Sequence, residues 1–590
     1  MENEVTIRIG GESGEGTISG GDILALAAAR WGYHVYTFRT FPAEILGGPC
    51  MFQVRISDKP VKSMGDFADV LICLNKEAFD RNVSDLRRHG GVLIYDPSDF
   101  TPDAGDFITY PIPFNDLARK EVQLFQTKNM VMLGAISGLF GPPVEAIAQV
   151  VESKLSKSRK SNPILMEKNM LALEVAKKYV TEQLTKRDPH RLGAVEKADR
   201  VILNGNQAVV AGALASHVGF FAGYPITPAS DIMEGLAKEL PQVGGTFLQA
   251  EDEIAAITSV LGASFGGARS MTATSGPGFS LMSEALGFAS MAEIPAVIVD
   301  AQRAGPSTGM PTKMEQSDLS FALSMSHGDT PRMVVAPANV ADCYSLMVLA
   351  FNMAERYQMP VIFLTDQSLT ARVESVDHSA FRPLEIEERI KFGQNGVNGH
   401  ASAASNGHAL SEEEHVFARY AYTASGVSPT TTPGAGAMTY VATGLEHDIY
   451  GHPNYEPEDH TAMMEKRFRK LATAAEELPK PQRYGDEDAT IGIIGWGSTE
   501  GAIQEAVDSA RAKGYRVASL HPKILSPLPD RAIREFIRSV QTVIIPECNY
   551  SGQLANLLGA KYGLQAIRVN KFGGIPFTAG EILRAIEEVS

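Results

Sequence analysis

Short runs of β-branched and other apolar residues alternate with helix-like segments along most of this chain. Parallel strands need a crossover connection, and that connection is usually a helix, so the alternation predicts parallel sheets with helices packed against them. The strand candidates are residues 5–9, 35–38, 70–74, 92–95, 219–223, 246–248, 270–273, 296–299, 333–335, 361–364, 490–494, 516–520, 542–546 and 566–569.

A chain of 590 residues is too long for one hydrophobic core, so we expect several domains. Between them, the stretches 395–408 and 430–436 are small, polar and turn-rich. Such a composition cannot bury enough apolar surface to form a core, so we expect a linker or long excursion at residues 391–485. The fold class is predicted to be α/β, with three parallel-sheet domains at residues 1–185, 200–390 and 486–590.

Charge and cysteine content narrow the classes of partner. A net charge of −16 argues against binding to nucleic acid or to an anionic membrane surface. No apolar run approaches the roughly 20 residues of a membrane-spanning helix. The four cysteines are scattered, without a Cys-x-x-Cys pair, so we expect reduced, unpaired thiols and a cytoplasmic protein. Any iron–sulfur cluster would have to be carried by another chain.

Two glycine-rich loops, at residues 9–17 and 494–501, each follow a strand candidate and precede a helix candidate. Backbone amides in such loops can hold an anion. Neither loop matches Gly-x-Gly-x-x-Gly, and Glu12 and Glu15 put negative charge where a pyrophosphate would bind. We therefore favour tight turns over a nucleotide-binding dehydrogenase. The chain also lacks a P-loop motif and the Gly-Asp-Gly diphosphate motif of thiamine enzymes.

Several stretches of the middle segment would lie at the carboxyl ends of parallel strands, where such sheets bind ligands. Thr227 lies between two prolines in Gly-Tyr-Pro-Ile-Thr-Pro at 223–228, and a strand-to-helix turn, Thr-Ser-Gly-Pro-Gly, occupies 274–278. Arg303 comes shortly after the strand candidate at 296–299 and begins a loop rich in Gly, Pro, Ser and Thr. Its guanidinium suits bidentate capture of a carboxylate, and from these residues alone a structural salt bridge is an equal alternative.

A further stretch, Gln-Ala-Glu-Asp-Glu-Ile-Ala-Ala at 249–256, opens a helix candidate with three carboxylates. Glu251 and Asp252 suit the positive end of a helix dipole. Glu253 differs because apolar residues follow it directly. A carboxyl group held against such neighbours favours its neutral form, which makes Glu253 a candidate for proton chemistry.

In their order along the chain, these stretches resemble the 2-oxoacid:ferredoxin oxidoreductases, specifically an α subunit with a fused γ domain. The resemblance rests on Tyr-Pro-Ile-Thr-Pro, Glu-Asp-Glu-Ile-Ala-Ala, Thr-Ser-Gly-Pro-Gly and Gln-Arg-x-Gly-Pro-Ser-Thr-Gly-x-Pro-Thr. Gly-Gly-Glu-Ser-Gly-Glu-Gly and Gly-Trp-Gly-Ser-Thr extend it over nearly the whole chain outside 391–436. It implies a γ-type Rossmann-like domain, a thiamine diphosphate pyrimidine-binding domain and a transketolase C-terminal-like domain.

The resemblance also implies roles for individual residues. Glu253 would hydrogen-bond the aminopyrimidine of thiamine diphosphate, with Glu251 as the alternative because one sequence does not fix the two-residue register. Arg303 would pair with the 1-carboxylate of the substrate. Thr227 and Thr312 would contact the substrate. The cofactor would be contacted by Tyr224, Pro225, Ile226, Ser275 and Gly276.

A partner β subunit is implied as well. It would share the thiamine diphosphate site and carry Mg²⁺ and a [4Fe-4S] cluster, which agrees with the missing Gly-Asp-Gly motif and the scattered cysteines of this chain. Coenzyme A would be the co-substrate, ferredoxin the electron acceptor, and (αβ)2 the assembly.

The arginine loop looks most like that of enzymes that convert 2-oxoglutarate to succinyl-CoA and CO2. Pyruvate and branched-chain 2-oxoacids are the alternative substrates. Among other classes, a transketolase-like enzyme would normally carry the diphosphate motif. A non-catalytic scaffold or regulatory subunit would have no physical need to keep Thr227, Glu253 and Arg303 together.

Overall fold

The computed structural model describes residues 3–42, 47–103, 105–156, 162–392, 417–434 and 439–590. These residues form three β-sheets flanked by helices, which confirms the predicted α/β class. No helix in the described ranges is long and apolar enough to cross a bilayer.

The strands are β1 (Glu4–Glu12), β2 (His34–Thr40), β3 (Pro49–Ser57), β4 (Val70–Cys73), β5 (Gly91–Tyr95), β6 (Phe107–Pro111), β7 (Arg200–Asn204), β8 (Phe220–Gly223), β9 (Thr246–Gln249), β10 (Ser270–Thr274), β11 (Ala296–Gln302), β12 (Met333–Val335), β13 (Pro360–Asp366), β14 (Val373–Asp377), β15 (Arg483–Gly485), β16 (Ile491–Ile494), β17 (Val517–Leu520), β18 (Ile524–Ser526), β19 (Thr542–Glu547) and β20 (Ile567–Asn570). The helices are α1 (Thr17–Trp31), α2 (Lys76–Asn82), α3 (Phe114–Asp116), α4 (Lys128–Leu139), α5 (Val144–Ser156), α6 (Pro163–Gln183), α7 (Gly205–Ala215), α8 (Ser230–Glu239), α9 (Glu253–Phe265), α10 (Gly276–Leu281), α11 (Ser283–Met291), α12 (Leu319–Ser324), α13 (Val340–Tyr357), α14 (Gln367–Ala371), α15 (Pro457–Glu477), α16 (Glu500–Ala512), α17 (Asp530–Ser539), α18 (Gln553–Tyr562) and α19 (Ala579–Glu588).

The first sheet has eight strands in the order β6-β5-β4-β1-β3-β2-β14-β7. β6, β5, β4 and β1 run parallel, and the pairings from β1 through β3 and β2 to β14 and β7 are antiparallel. The sheet is therefore mixed, whereas a parallel sheet was predicted. The antiparallel half depends on β3, whose apolar run is interrupted by Gln53 and Arg55. Gln53 is nevertheless buried, because its Oε1 accepts a hydrogen bond from Arg8 Nε at 2.7 Å.

Two strands of the middle segment, β7 and β14, complete this first sheet. Across the β2–β14 edge, the amides of Val35 and Val373 donate to the hydroxyls of Ser375 and Thr37 at 3.0 and 2.8 Å. The sheet thus extends past the expected boundary at residue 185. An edge strand has unpaired backbone groups. In this sheet a strand from a segment distant in the sequence, β14, pairs with those of β2.

The middle sheet has the order β18-β12-β13-β11-β10-β8-β9, and the six strands predicted between 200 and 390 all belong to it. Its pairings are parallel except at β18, an edge strand supplied by the last segment. The last sheet, β15-β17-β16-β19-β20, is parallel except at β15. The first and middle sheets therefore each take edge strands from the segment that follows them.

Where it is described, the predicted linker at 391–485 is packed against the middle segment. On α15, Lys466 and Lys470 both form ion pairs with Glu293, and Arg419 donates to the Glu293 carbonyl at 2.9 Å. Burial alone would raise the pKa of Glu293, but the three cations hold it well below its usual range. These buried contacts are made by charged side chains. The linker prediction considered only how few apolar residues the segment contains, and it therefore did not anticipate them. Residues 393–416 and 435–438 lie outside the described residues.

Candidate active site

The candidate residues lie at the carboxyl edge of the middle sheet, where β9, β8, β10 and β11 end side by side. β9 leads into α9 and β10 into α10, each through a short turn. β8 leads into α8 through the proline-containing loop, and β11 leads into α12 through the arginine loop. Neighbouring parallel strands bring these four connections together, which is where sheets of this kind bind ligands.

Three carboxylates at the start of α9 have different surroundings. Asp252 is the N-cap, and its side chain accepts a hydrogen bond from the Ala255 amide at 2.7 Å. Glu251 is exposed, and Glu253, the first residue of the helix, is only 6% exposed. Of the two glutamates left open by the sequence, Glu253 is therefore the one held inside the protein.

The space around the Glu253 carboxyl group is bounded by a glycine, Gly278, and not by the apolar residues that follow Glu253 in the sequence. Ile254 is 51% exposed, so the expectation that it shelters the carboxyl group is wrong for this chain. A Cβ atom added to Gly278 would lie 2.3 Å from Glu253 Oε1 and 2.2 Å from Thr274 Oγ1. Glycine at position 278 therefore leaves the space that the carboxyl group fills. The sequence marked this turn as a motif but did not reveal that it meets Glu253.

Ser275 and Gly276 continue the same turn. Ser275 is fully buried, and its hydroxyl has no hydrogen-bond partner among the residues that the structure describes. A Cβ atom on Gly276 would lie 3.0 Å from Asp318 Oδ2. Burying a hydroxyl group without a hydrogen-bond partner costs free energy. This turn is therefore suited to bind a polar group of another molecule, which would supply the missing hydrogen bond.

Arg303 lies at the start of the arginine loop and is 8% exposed. Its Nη1 donates to the Thr227 carbonyl at 2.7 Å, which joins the loops after β11 and β8. Its Nε has no hydrogen-bond partner in the described part of the chain. Burial lowers the pKa of the guanidinium, and the nearby Asp318 opposes that effect. Arg303 therefore retains donor capacity for an additional anion.

Thr312 stands at the other end of the arginine loop and is also buried. Its hydroxyl donates to the Phe41 carbonyl of the first domain at 2.9 Å. This hydrogen bond joins the loop to the end of β2, so the Thr312 hydroxyl is occupied here. A substrate contact by Thr312 stays a prediction.

Tyr224 and Pro225 are exposed, Ile226 is partly buried, and the Thr227 side chain is exposed. Large apolar side chains on β9, α9 and α10 are exposed as well, namely Leu248, Ile254 and Leu281. The carboxyl edge of the middle sheet thus has a partly apolar rim.

Two carboxyl groups that the sequence analysis did not single out lie behind this edge. Asp300, on β11, is fully buried, and neither of its carboxyl oxygens has a hydrogen-bond donor among the described residues. Burial and the neighbouring Asp318 raise its pKa well above the usual range. Asp318 immediately precedes α12, and burial raises its pKa to about 6.

The glycine loop after β1 is filled by a side chain of its own. The Glu15 carboxylate accepts hydrogen bonds from the Glu12 amide and Asn75 Nδ2, both at 2.9 Å, and lies 3.3 Å from Lys128 Nζ. The backbone amide of Glu12, which could have bound an anion, is therefore occupied by a side chain of the same loop. This geometry agrees with the tight-turn interpretation rather than with dinucleotide binding.

A cavity of about 560 Å³ lies between the first and last sheets, next to the arginine loop. Five cationic residues line it, of which Arg8 pairs with Asp85 and Lys571 with Glu581. Lys313 and Arg584, also in the lining, form no ion pair with any described residue. Because Lys313 directly follows Thr312, this cationic cavity adjoins the candidate site.

All four cysteines are among the described residues, and each is buried and free of a disulfide, as expected. In the described ranges, no three His, Cys, Asp or Glu side chains are grouped closely enough to hold a metal ion.

Three family models match successive parts of the chain. A pyruvate ferredoxin/flavodoxin oxidoreductase model matches residues 6–179, and the thiamine diphosphate-binding model of pyruvate flavodoxin/ferredoxin oxidoreductases matches 211–466. Core domain II of pyruvate:ferredoxin oxidoreductase matches 489–581. Together they follow the order of the three sheets.

Individual proteins match over nearly the whole chain. The 2-oxoglutarate oxidoreductase subunit KorA of Mycobacterium tuberculosis is 33% identical over 99% of this chain and 91% of its own length. The α subunit of 2-oxoacid:ferredoxin oxidoreductase 1 from Aeropyrum pernix is 31% identical over 100% and 98%. A solved structure, 2-oxoglutarate:ferredoxin oxidoreductase from Magnetococcus marinus with 2-oxoglutarate, coenzyme A and succinyl-CoA bound, is 40% identical, with a TM-score of 0.92 and full coverage of both chains. The chain therefore belongs to the 2-oxoacid:ferredoxin oxidoreductase family and corresponds, over nearly all of its length, to an α subunit of that family.

Proposed function

We propose that this chain is the α subunit of a 2-oxoglutarate:ferredoxin oxidoreductase. The reaction would be the coenzyme A-dependent oxidative decarboxylation of 2-oxoglutarate to succinyl-CoA and CO2, with electrons passed to ferredoxin. The observation that carries the proposal is a buried carboxyl group and a buried guanidinium on two connections at the same sheet edge, at Glu253 after β9 and Arg303 after β11. The 40% identity with the Magnetococcus marinus enzyme supports 2-oxoglutarate over pyruvate or a branched-chain 2-oxoacid.

The turn around Glu253 fits the pyrimidine end of thiamine diphosphate. Gly278 leaves space beside the carboxyl group, and the Ser275 hydroxyl lacks a partner in the described part of the chain. Thiamine diphosphate supplies, when bound, the carbon nucleophile and the electron sink that decarboxylation of a 2-oxoacid needs. In our proposal Glu253 donates or accepts the proton at the pyrimidine ring, while Tyr224, Pro225, Ile226, Ser275 and Gly276 line the ring's pocket.

Arg303 is the proposed anchor for the substrate's 1-carboxylate. A partly desolvated guanidinium with a donor still free binds a carboxylate more strongly than an exposed one does. Its hydrogen bond to the Thr227 carbonyl fixes its direction. We propose that Thr227 and Thr312 contribute their hydroxyls to the same substrate, which requires Thr312 to leave its present partner, Phe41.

The chain would act with a β subunit that carries the Mg²⁺–diphosphate site and a [4Fe-4S] cluster, in an (αβ)2 assembly. The missing Gly-Asp-Gly motif and the four buried, separate cysteines support this division. The exposed apolar side chains at the carboxyl edge, Leu248, Ile254 and Leu281, suit coverage by such a partner. The acidic net charge and reduced thiols support a cytoplasmic location.

Coenzyme A would enter the cationic cavity beside the arginine loop. Its phosphate groups need cations, and Lys313 and Arg584 both line the cavity without an ion pair in the described residues. Because Lys313 is directly joined to Thr312, this cavity adjoins the proposed substrate site. Replacing Arg584 by Gln should raise the KM for coenzyme A and leave the KM for the 2-oxoacid unchanged.

The test is co-expression with the β subunit, followed by an assay of viologen reduction that depends on both a 2-oxoacid and coenzyme A. We expect the highest kcat/KM with 2-oxoglutarate, compared with pyruvate and branched-chain 2-oxoacids. Glu253→Gln should lower kcat by about 10²–10⁴-fold, the usual contribution of proton transfer by a positioned side chain. Glu251→Gln is the matched control and should change kcat less than twofold. Wild-type activity in Glu253→Gln would refute the assignment, and no activity with any 2-oxoacid in the wild-type complex would favour the scaffold alternative.

A further inference from the structure

The second glycine-rich loop, residues 494–501, has no role in the function proposed above. It follows β16, and Gly497 within it has a φ of +58°, a left-handed conformation that favours glycine. A Cβ atom on Gly497 would also lie 2.8 Å from Gln316 Nε2, so a larger residue there would compete with Gln316 for the same space. Gln316 belongs to the arginine loop, which connects β11 to α12. The glycine-rich loop of the last domain therefore receives a side chain from the loop that carries Arg303.

Gln316 is fully buried, and the last domain supplies the partners of its polar groups. Its Nε2 donates to the Trp496 carbonyl at 2.8 Å, and its Oε1 accepts from the Cys548 amide at 3.1 Å. Its backbone amide donates to the Cys548 carbonyl at 2.7 Å, and its backbone carbonyl accepts from Asn549 Nδ2 at 2.9 Å. A buried amide side chain with both ends paired has a fixed position, because leaving either end unpaired costs free energy. Gln316 thus ties the arginine loop to the last domain.

Further hydrogen bonds hold the chain on both sides of Gln316. The amide of Met314 donates to the Gly574 carbonyl at 3.3 Å. Gln553 Nε2, at the start of α18, donates to the Ser317 carbonyl at 2.6 Å. We call residues 312–318 the returning half of the arginine loop. The last domain therefore holds this half at three places, of which Gln316 is the central one.

The returning half begins with Thr312 and Lys313, which border two proposed binding sites. Thr312 is a proposed contact of the 2-oxoacid, and Lys313 lines the cationic cavity proposed for coenzyme A. The Lys313 carbonyl also accepts a hydrogen bond at 2.9 Å from the amide of Ala304, the residue after Arg303. The position of the returning half is therefore felt at both sites, although the last domain that fixes it contributes no proposed contact to the 2-oxoacid.

We infer that Gln316 is a positioning residue through which the last domain holds Thr312 and Lys313 in place for the 2-oxoacid and for coenzyme A. This inference rests on the function proposed above. Gln316 is fully buried and both of its side-chain polar atoms have partners within the chain, so it acts on the substrates only through the returning half. A loop that is already ordered loses less conformational freedom when a ligand binds. Releasing the returning half should therefore weaken the binding of both substrates together.

The first test is Gln316→Met in the αβ complex, with viologen reduction as the assay. Methionine has a similar length but cannot donate to the Trp496 carbonyl or replace the strong acceptor for the Cys548 amide. We expect the KM values for 2-oxoglutarate and for coenzyme A each to rise by about tenfold. This is less than the roughly 100-fold cost of a 1 Å misplacement, because the substrate contacts are loosened and not removed. Because the loss is one of binding, kcat should stay within about twofold.

A milder variant covers the case in which Gln316→Met does not assemble. Gln553 is only partly buried, and Gln553→Ala removes its hydrogen bond to the Ser317 carbonyl without leaving a fully buried polar group. It should raise both KM values in the same direction by about threefold, as expected from the loss of one hydrogen bond. Unchanged KM values in Gln553→Ala would count against the inference.

Thr499→Val is the matched control. The Thr499 hydroxyl donates to the same Trp496 carbonyl at 2.8 Å, and Thr499 is also buried, but this hydrogen bond lies wholly within the last domain. The control should lose a comparable hydrogen bond and leave both KM values unchanged. A merely structural role of Gln316 would lower kcat and the melting temperature alike in both variants without raising KM, and that result would overturn the inference. A rise in only one of the two KM values would overturn it as well.

The failure of the proposed function would look different. Arg303→Lys should raise only the KM for the 2-oxoacid, and Arg584→Gln only that for coenzyme A; if neither does, the proposed sites are wrong. A readout without turnover then still tests the anchor. Amide hydrogen exchange in peptides covering 303–318 of the substrate-free complex should be faster in Gln316→Met than in the wild type and in Thr499→Val. Equal exchange in all three proteins would overturn the inference even if the proposed function holds.

Discussion

Replacing Gly278 by alanine tests whether the position of Glu253 matters for the reaction. The added Cβ atom would lie 2.3 Å from Glu253 Oε1 and 2.2 Å from Thr274 Oγ1, whereas ordinary contacts begin at 3.4 Å. The carboxyl group must therefore move by about 1 Å, and a displacement of that size at a catalytic group costs about 100-fold in rate. Alanine otherwise favours a helix over glycine by about 1 kcal/mol, so the fold of α10 should persist.

The assay is viologen reduction by the αβ complex, with the melting temperature measured in parallel. We expect kcat to fall by about 100-fold in Gly278→Ala while the melting temperature changes by only a few degrees. Gly287→Ala is the matched control, since Gly287 lies in α11 and a Cβ atom there would meet nothing within 4 Å. A normal kcat in Gly278→Ala would refute the reasoning, because the carboxyl group would then not need the place where the structure holds it.

Three other predictions concern binding and stability. Arg303→Lys should raise the KM for the 2-oxoacid by about 10–100-fold and change kcat less, because a lysine cannot reproduce a bidentate contact; equal losses in both would contradict this. Glu293→Gln should destabilise the complex by about 3–5 kcal/mol in thermal unfolding, since it leaves buried cations unpaired, whereas Glu476→Gln on the exposed side of α15 should have no effect. Burial lowers the pKa of His521 to about 3, so the folded state rejects a proton that the unfolded state accepts below pH 6.5. Stability should therefore fall by about 2 kcal/mol from pH 7 to pH 5 through this residue, and His521→Gln should flatten that part of the pH profile.

The middle sheet was predictable because strands buried on both faces are continuous apolar runs that local sequence reveals. β3 was missed because its buried polar residue, Gln53, is compensated by Arg8, which is distant in the sequence. β7 and β14 fall inside the middle segment, and only strand pairing shows that they belong to another sheet.

The candidate site, too, was predictable from the sequence only in part. Glu253 and Arg303 were found from local motifs, since each lies in the connection that follows a strand. The contact between Glu253 and Gly278 joins two different connections of the sheet. Such contacts depend on which strands are neighbours, and strand order cannot be read from one sequence. The packing of α15 was missed for a related reason, because its buried lysines need a partner, Glu293, that lies far away in the chain.

The pairing of β14 with β2, and of β7 with β14, has a consequence for the continuity of the polypeptide. The connector at 186–199 is a covalent link between the first and second segments, but it is not what keeps their sheets together. Hydrogen bonds across the β2–β14 edge, with Arg372 Nη1 donating to the Tyr36 hydroxyl at 2.9 Å, hold the two segments independently of it. A chain cut within the connector should thus remain associated, and two separately synthesised fragments should assemble by strand complementation into the same eight-stranded sheet.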